Sequence, residues 1–149
     1  MARRSRAREV AFQVLYQDDL NSRPNPTVGD QLIDQRLRFA DLAEFARSLV
    51  AGVRQHRKEV DRLLEQIAAN WTLKRMAATD RNVLRLGAYE ILFSDTPGRV
   101  AIDEAVELAK RFGSAQSAQF VNGVLDQVMH ETQKNIETPQ ADKEIPSPE

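Results

Sequence analysis

The chain has 149 residues and no cysteine, with 42% hydrophobic and 29% charged residues and a net charge of −1. This composition fits one globular domain, and it excludes disulfides, thiolate zinc sites and thiol catalysis. A net charge near zero also argues against a bulk nucleic-acid binder, so any such site must be a local basic patch. The sequence contains no run of 18 apolar residues and no signal-peptide pattern, so we expect a cytoplasmic protein without membrane contact.

Apolar residues recur at helical spacing along most of the chain, and no segment shows the alternation typical of a strand. The first stripe begins at Ala7 and ends before segment 21–26, whose two prolines cannot continue a helix. A weak stripe at 32–37 is followed by longer ones at 42–53, 60–71, 84–92, 102–109 and 120–129. The sequence therefore predicts an all-α fold.

Several residues predict where these helices end or approach one another. Thr79 or Asp80 is a candidate cap for the helix over 84–92, and Gly113 is the expected stop after the stripe at 102–109. Gly52 and Gly87 lie inside helical patterns, where glycine costs about 1 kcal/mol relative to alanine. We expect close helix–helix contact at both glycines.

The C-terminal segment differs from the rest of the chain. It contains Pro139, Pro146 and Pro148, four acids against one lysine, and no apolar stripe that would offset the entropy of ordering. We therefore predict a helical domain over residues 1–134 and a disordered, acidic, proline-containing tail over residues 135–149.

Patterns that indicate catalysis are missing. His56 and His130 lie in different helical segments without a metal-binding pattern around either, and the glycines form no phosphate-binding loop. The carboxylates Asp103, Glu104 and Glu107 stand near a helix start, where they complement the helix dipole. We expect a protein that binds without catalysing a reaction and that needs no metal or cofactor.

Four arginines crowd the first eight residues with no acid among them: Arg3, Arg4, Arg6 and Arg8. Cations at a helix start oppose the helix dipole, so they raise the free energy of forming this turn. Arginine also offers a planar fork for phosphate and a flat face for bases. From the residues alone, a binding role and a solvated, frayed terminus stand as equal alternatives.

Two aromatic residues bear on that choice. Tyr16 follows the arginines by two to three turns, and Phe120 begins the last apolar stripe just after the polar segment 114–119. Either ring could belong to the core, or could form a platform on which bases of a single strand stack beside a basic groove.

Several blocks of the sequence together resemble the NusB family. They run in order from about Arg4 to Met129. The blocks are residues 4–16, 45–53, 83–90, 100–113 and 120–126.

This resemblance implies an all-helical bundle of about seven helices in two small subdomains. It implies a transcription antitermination factor that binds the single-stranded boxA element of ribosomal RNA transcripts with NusE, the small-subunit ribosomal protein S-ten, as part of the RNA polymerase antitermination complex. Carried over by position, the partner surface includes Asp80. The implied RNA-binding residues are Arg4, Arg6, Arg8, Tyr16, Gln119 and Phe120.

The sequence departs from the family pattern beside Phe120. Gln119 stands where many members have a lysine, and Gln116 replaces an acid seen in some. One cation fewer removes one phosphate contact and lowers the salt dependence of RNA binding.

Two other functions remain open from the sequence. A similar domain precedes the catalytic domain of some ribosomal RNA cytosine methyltransferases, and this chain could be a fragment of such an enzyme. The absence of a cofactor loop and of a cysteine nucleophile argues against methyl transfer. The chain could also be a pure protein-interaction module with a solvated basic end.

Overall fold

A computed structural model of the chain describes residues 3–68 and 70–137, and within these ranges the protein is helical without a strand. This confirms the all-α prediction, with six α-helices and one 3-10 turn in place of about seven helices. The elements are α1 (Arg3–Leu20), α2 (Pro26–Arg36), α3 (Ala40–Ile67), the 3-10 helix (Leu73–Arg75), α4 (Ala78–Phe93), α5 (Gly98–Phe112) and α6 (Ser117–Glu137).

The helix α3 is a single 28-residue element, although the sequence showed two separate apolar stripes. The polar residues between the stripes lie on the outer faces of a continuous helix, while Val53 and Val60 are both buried. The predicted stripe at 60–71 extends past the observed end of this helix. The helix ends at Ile67, and the ring of Trp71 is 53% exposed outside it.

The helices form two groups, with α1, α2 and α3 in the first and α4, α5 and α6 in the second. Helix α4 joins them, because it packs against α1 and α3 on one side and against α5 and α6 on the other. Its residues 82–88 are all buried, as expected for a helix surrounded by others.

Close helix packing accounts for Gly52 and Gly87. A Cβ atom at Gly52 would lie 2.2 Å from Cζ of Tyr89, and one at Gly87 would lie 2.5 Å from Cδ1 of Leu125. Both distances are far inside van der Waals contact. The close approach predicted from the sequence is present at both glycines.

The predicted helix ends differ in detail from the observed ones. Helix α5 stops at Phe112 with Gly113 as its C-cap, as predicted. Helix α4 begins with Ala77 at the cap position, one turn earlier than Asp80, and no side chain caps it.

The last described helix continues to Glu137, three residues into the predicted tail. Residues 138–149 lie outside the described part of the chain, so the tail stays a prediction. Across residues 3–68 and 70–137, none of the helices combines the length and the apolar character needed to cross a bilayer.

Candidate nucleic-acid interface

The first arginines of α1 lie against aromatic rings of the segment that begins α3. The guanidinium of Arg3 stands 4.7 Å from the ring centre of Phe39, and that of Arg4 stands 4.2 Å from the ring centre of Phe45. Both arginines are exposed on their other side. The start of α1 therefore presents two ordered cations to solvent.

Arg6 shares a buried carboxylate with a second arginine that the sequence analysis did not single out. One carboxylate oxygen of Glu9 forms an ion pair with Arg6 at 3.2 Å, and the other accepts a hydrogen bond from Arg111 at 3.0 Å. The Glu9 side chain is 4% exposed, whereas those of Arg6 and Arg111 are 37% and 53% exposed. The three charges leave an excess of one positive charge on two accessible guanidinium groups.

Arg8 occupies a different environment from its neighbours. Its guanidinium donates two hydrogen bonds to the Glu90 carboxylate, at 2.8 and 2.9 Å, and both side chains are buried. Burial alone would lower the pKa of Arg8, but the hydrogen bonds and charge of Glu90, with the charge of Glu104, raise it above its ordinary value. The guanidinium of Arg8 is thus engaged inside the protein.

Tyr16 is half-buried and connects to the end of α5 through Phe12. The ring of Phe12 lies 6.0 Å from that of Tyr16 and 5.1 Å from that of Phe112, measured between ring centres. Arg111 also lies over the Phe112 ring, at 5.6 Å. These contacts place Tyr16 on the same side of α1 as Arg6 and Arg111, the two arginines that share Glu9.

The loop between α5 and α6 is held by its serines. The Ser114 N–H donates to the Ser117 hydroxyl at 2.9 Å, which fixes the start of α6. Gln119 is exposed on the first turn of α6, and the half-buried ring of Phe120 meets Trp71 edge-on at 6.2 Å.

Asp80 and Phe120 line one pocket of about 200 Å³ beside this loop. Oδ1 of Asp80 is buried and has no hydrogen-bond partner among the residues that the structure describes. A buried acceptor without a donor is costly, which makes this carboxylate a candidate for a donor from another molecule. The remaining lining residues are Trp71, Arg75, Met76, Ala77, Ser114, Gln116 and Ser117.

A polar network fixes the backbone that carries Asp80. Arg81 donates to Asp19 at 2.7 Å and to the carbonyl groups of Leu73 and Met76, and Asn82 donates to Asp19 at 2.9 Å. Burial alone would raise the pKa of Asp19, but these hydrogen bonds and the charges of Arg85 and Arg81 hold it below its ordinary value. The network ties the 3-10 turn and the first turn of α4 to α1.

The two histidines have separate neighbours. His56 stacks on Phe93 at 3.9 Å and lies 3.0 Å from Glu59, while Nδ1 of His130 lies 2.9 Å from the carbonyl oxygen of Asp126. Within residues 3–68 and 70–137 no group of three or more histidine or acidic side chains is arranged to hold a metal ion.

The expected RNA residues therefore fall into four environments. Arg4 and Arg6 are accessible at the start of α1, and Tyr16 and Phe120 are half-buried rings. Gln119 is fully on the surface. Arg8 is interior. Arg111 was not among the expected residues, because its contact with Glu9 joins positions more than 100 residues apart, although its place just before the loop was a signal.

Known proteins resemble this chain both in sequence and in fold. Residues 5–130 match the family model described as NusB family. The chain is 45% identical over 135 residues to a transcription antitermination protein NusB of Anaeromyxobacter dehalogenans (strain 2CP-1 / ATCC BAA-258), an alignment that covers 85% of this chain and 90% of the relative.

Solved structures give the same result for the fold. A T. maritima NusB structure is similar with a TM-score of 0.78 and 35% identity, covering 93% of this chain and 99% of the other. A structure described as antitermination factors NusB and NusE in complex with dsRNA has a TM-score of 0.78 and 31% identity, covering 88% of this chain and 98% of the other.

Proposed function

Because this chain belongs to the NusB family, we propose that it is a transcription antitermination factor that binds single-stranded RNA together with a protein partner. The RNA is the boxA element of ribosomal RNA transcripts, and the partner is NusE, within the RNA polymerase antitermination complex. Support for RNA and NusE as ligands comes from a structural relative that was solved as NusB and NusE in complex with dsRNA. That the RNA is single-stranded rests on the rings of Tyr16 and Phe120, on which unpaired bases could stack. The protein acts by binding and catalyses no reaction.

The observation that carries this proposal is the pocket shared by Asp80 and Phe120. The first residue was expected to bind the partner and the second to bind RNA. Their side chains line one cavity, so a partner seated on Asp80 would border any base stacked on Phe120. This arrangement gives a physical reason for the two ligands to bind together.

Phosphate contacts in this proposal come from Arg4, Arg6 and Arg111. All three are accessible, and two are held in place by the buried carboxylate of Glu9. Arginine forks suit phosphate oxygens, and ordered side chains lose less entropy on binding. Arg111, on the last turn of α5, also supplies a cation, whereas Gln119 on the first turn of α6 stands where many members have a lysine.

Arg8 has a structural role in this proposal instead of the direct RNA contact expected from the resemblance. Withdrawing its guanidinium from Glu90 would leave a buried carboxylate unpaired, which is strongly unfavourable. Arg8 therefore anchors the helix that presents Arg4 and Arg6.

Base stacking is assigned to Tyr16 and Phe120. Stacking of a base on an aromatic ring contributes about 1–3 kcal/mol, so replacing Phe120 with alanine should weaken RNA binding by roughly 5- to 150-fold. The test is a fluorescence titration of labelled boxA RNA, with NusE present, using Phe120→Ala.

The matched control is Phe93→Ala. Phe93 is a 39% exposed phenylalanine that stacks on His56 in another part of the surface. Equal RNA affinities for the Phe120→Ala and Phe93→Ala proteins would contradict this assignment of the site.

A further inference from the structure

Gly123 is a glycine in the interior of α6 for which the described residues give no packing reason. A Cβ atom added there would meet no heavy atom within 4 Å, whereas the same atom at Gly52 or Gly87 would collide with a neighbouring helix. Glycine is among the least favourable residues inside a helix. Its presence is therefore explained best by something outside the described chain that approaches the α6 backbone.

The open space beside Gly123 is a groove between α3 and α6, with a volume of about 560 Å³. Leu63 and Ile67 of α3 form an apolar side, and the α6 stripe Gln119, Gly123 and Gln127 forms the other. From residue 119 to residue 131 the helix rises roughly 18 Å. The volume lies in the range of pockets that hold small organic groups.

We propose that this groove is a subsite for unpaired nucleobases of single-stranded RNA, continuing the strand beyond Phe120. The inference rests on the proposed RNA-binding function and extends it. In this arrangement a base lies against the bare backbone at Gly123, where any side chain would exclude it.

Three amides make the groove suited to bases. Gln66, Gln119 and Gln127 line it, and none of their side-chain amides forms a hydrogen bond with another described residue. An amide offers a donor and an acceptor side by side, which matches the exposed edge of a base, adenine most directly. Unpaired bases are the part of RNA that proteins read with sequence preference.

Continuity with the proposed site favours RNA over a protein helix as the occupant. Gln119 and Phe120 belong both to the groove and to the expected RNA residues. A helix docked in a groove needs a continuous apolar strip, whereas here the amides and Glu131 interrupt the apolar residues. Neither lysine nor arginine is among the described residues that line the groove, so the phosphates would face solvent.

Filling the groove tests the proposal without disturbing the fold. Gly123→Leu places its Cβ where no heavy atom lies within 4 Å and the rest of its side chain in the groove, and it improves helix propensity, so we expect the variant to fold at least as well as the wild type. With NusE present and a labelled RNA carrying boxA and flanking nucleotides, we expect Gly123→Leu to weaken binding by about tenfold. Because no phosphate contact is lost, the slope of log affinity against log salt should not change.

Asn122→Leu is the matched control, since Asn122 is the adjacent exposed residue of α6 and does not line the groove. It should bind RNA as the wild type does, and both variants should bind NusE normally in the absence of RNA. Gln127→Ala provides a second variant, with a smaller loss of RNA affinity.

Wild-type affinity in Gly123→Leu would overturn the groove proposal and leave the proposed function standing. A Gly123→Leu protein that loses NusE binding without RNA would also overturn it, because the groove would then hold the protein partner. Failure of the wild type to bind the RNA with NusE present would overturn the proposed function and the groove with it.

Discussion

The arginines at the start of α1 are held by aromatic rings at the start of α3 and, through Glu9 of α1 itself, share a carboxylate with an arginine of α5. Phe39 and Phe45 cover Arg3 and Arg4, and the buried Glu9 holds Arg6 together with Arg111. The sequence showed the crowding of positive charge but not these partners, because the contacts depend on how α1 crosses α3 and α5. Composition alone therefore did not decide whether these arginines bind a ligand or form a solvated terminus.

Arg111→Gln should lower RNA affinity and its salt dependence, because it removes one accessible cation from the proposed phosphate site. For a single-stranded RNA, loss of one phosphate contact reduces the slope of log affinity against log salt by about 0.7. The measurement is an RNA titration at several salt concentrations. Arg99→Gln is the control, since Arg99 is equally exposed but pairs with Asp126 on α6. Identical slopes for the two variants would rule out the assignment of Arg111.

Alanine should have opposite effects at two helical glycines. At Gly52 the new methyl group would lie 2.2 Å from the Tyr89 ring, so the free energy of unfolding should fall by about 1–3 kcal/mol. At Gly123 the methyl group meets no heavy atom within 4 Å, so the free energy of unfolding should rise by up to about 1 kcal/mol. Urea unfolding of both variants checks this pair, and changes of the same sign would be inconsistent with the packing described.

At the scale of the elements, one buried ion pair joins α1 to α4. Arg8 and Glu90 are 82 positions apart, and Glu90 also accepts a hydrogen bond from Thr96 at 2.9 Å in the bend before α5. Periodicity predicted both helices but gave no sign that a charged residue would be interior. The resemblance likewise grouped Arg8 with its exposed neighbours.

Removing one member of this pair should lower the free energy of unfolding far more than neutralising both members. Arg8→Met leaves the Glu90 carboxylate buried and unpaired, and the free energy of unfolding should fall by about 3–5 kcal/mol. Adding Glu90→Gln removes the charge and should restore part of that loss. The double variant, where folded, should keep RNA affinity within about twofold of the wild type (a factor of two is roughly 0.4 kcal/mol). A large loss of RNA affinity in the folded double variant would instead support direct contact by Arg8.

Asp19 makes the contact between α1 and α4 sensitive to acid. Its folded-state pKa lies below the ordinary value, so its contribution to stability is present above about pH 4 and is lost as pH falls through the folded-state pKa. Asp19→Asn should therefore be less stable than the wild type at pH 7, and the difference should narrow below about pH 4. Unfolding midpoints measured across pH test this, and a constant difference would refute the role of the charge.

At the scale of the whole molecule, the helical architecture could be predicted from periodicity and the family from blocks such as residues 100–113. The candidate site could be predicted in part. Tyr16, Phe120 and Asp80 were identified through the resemblance, but their spatial relation was not. The pocket beside Phe120 is built from the segment between α3 and α4, the first turn of α4, the α5–α6 loop and the start of α6. Trp71 belongs to that pocket and was assigned to a helical stripe.

The shared pocket of Asp80 and Phe120 leads to the central claim, that RNA and the protein partner bind this chain together. Two ligands that favour each other must do so reciprocally, each raising the affinity of the other by the same factor. Independent binding would leave both affinities unchanged.

The most direct test measures the affinity of labelled boxA RNA for this protein with and without saturating NusE, at one salt concentration. We predict that NusE tightens RNA binding about 5- to 150-fold, and that RNA tightens NusE binding by an equal factor. NusE binding without any RNA binding would contradict the account and indicate a pure protein-interaction module.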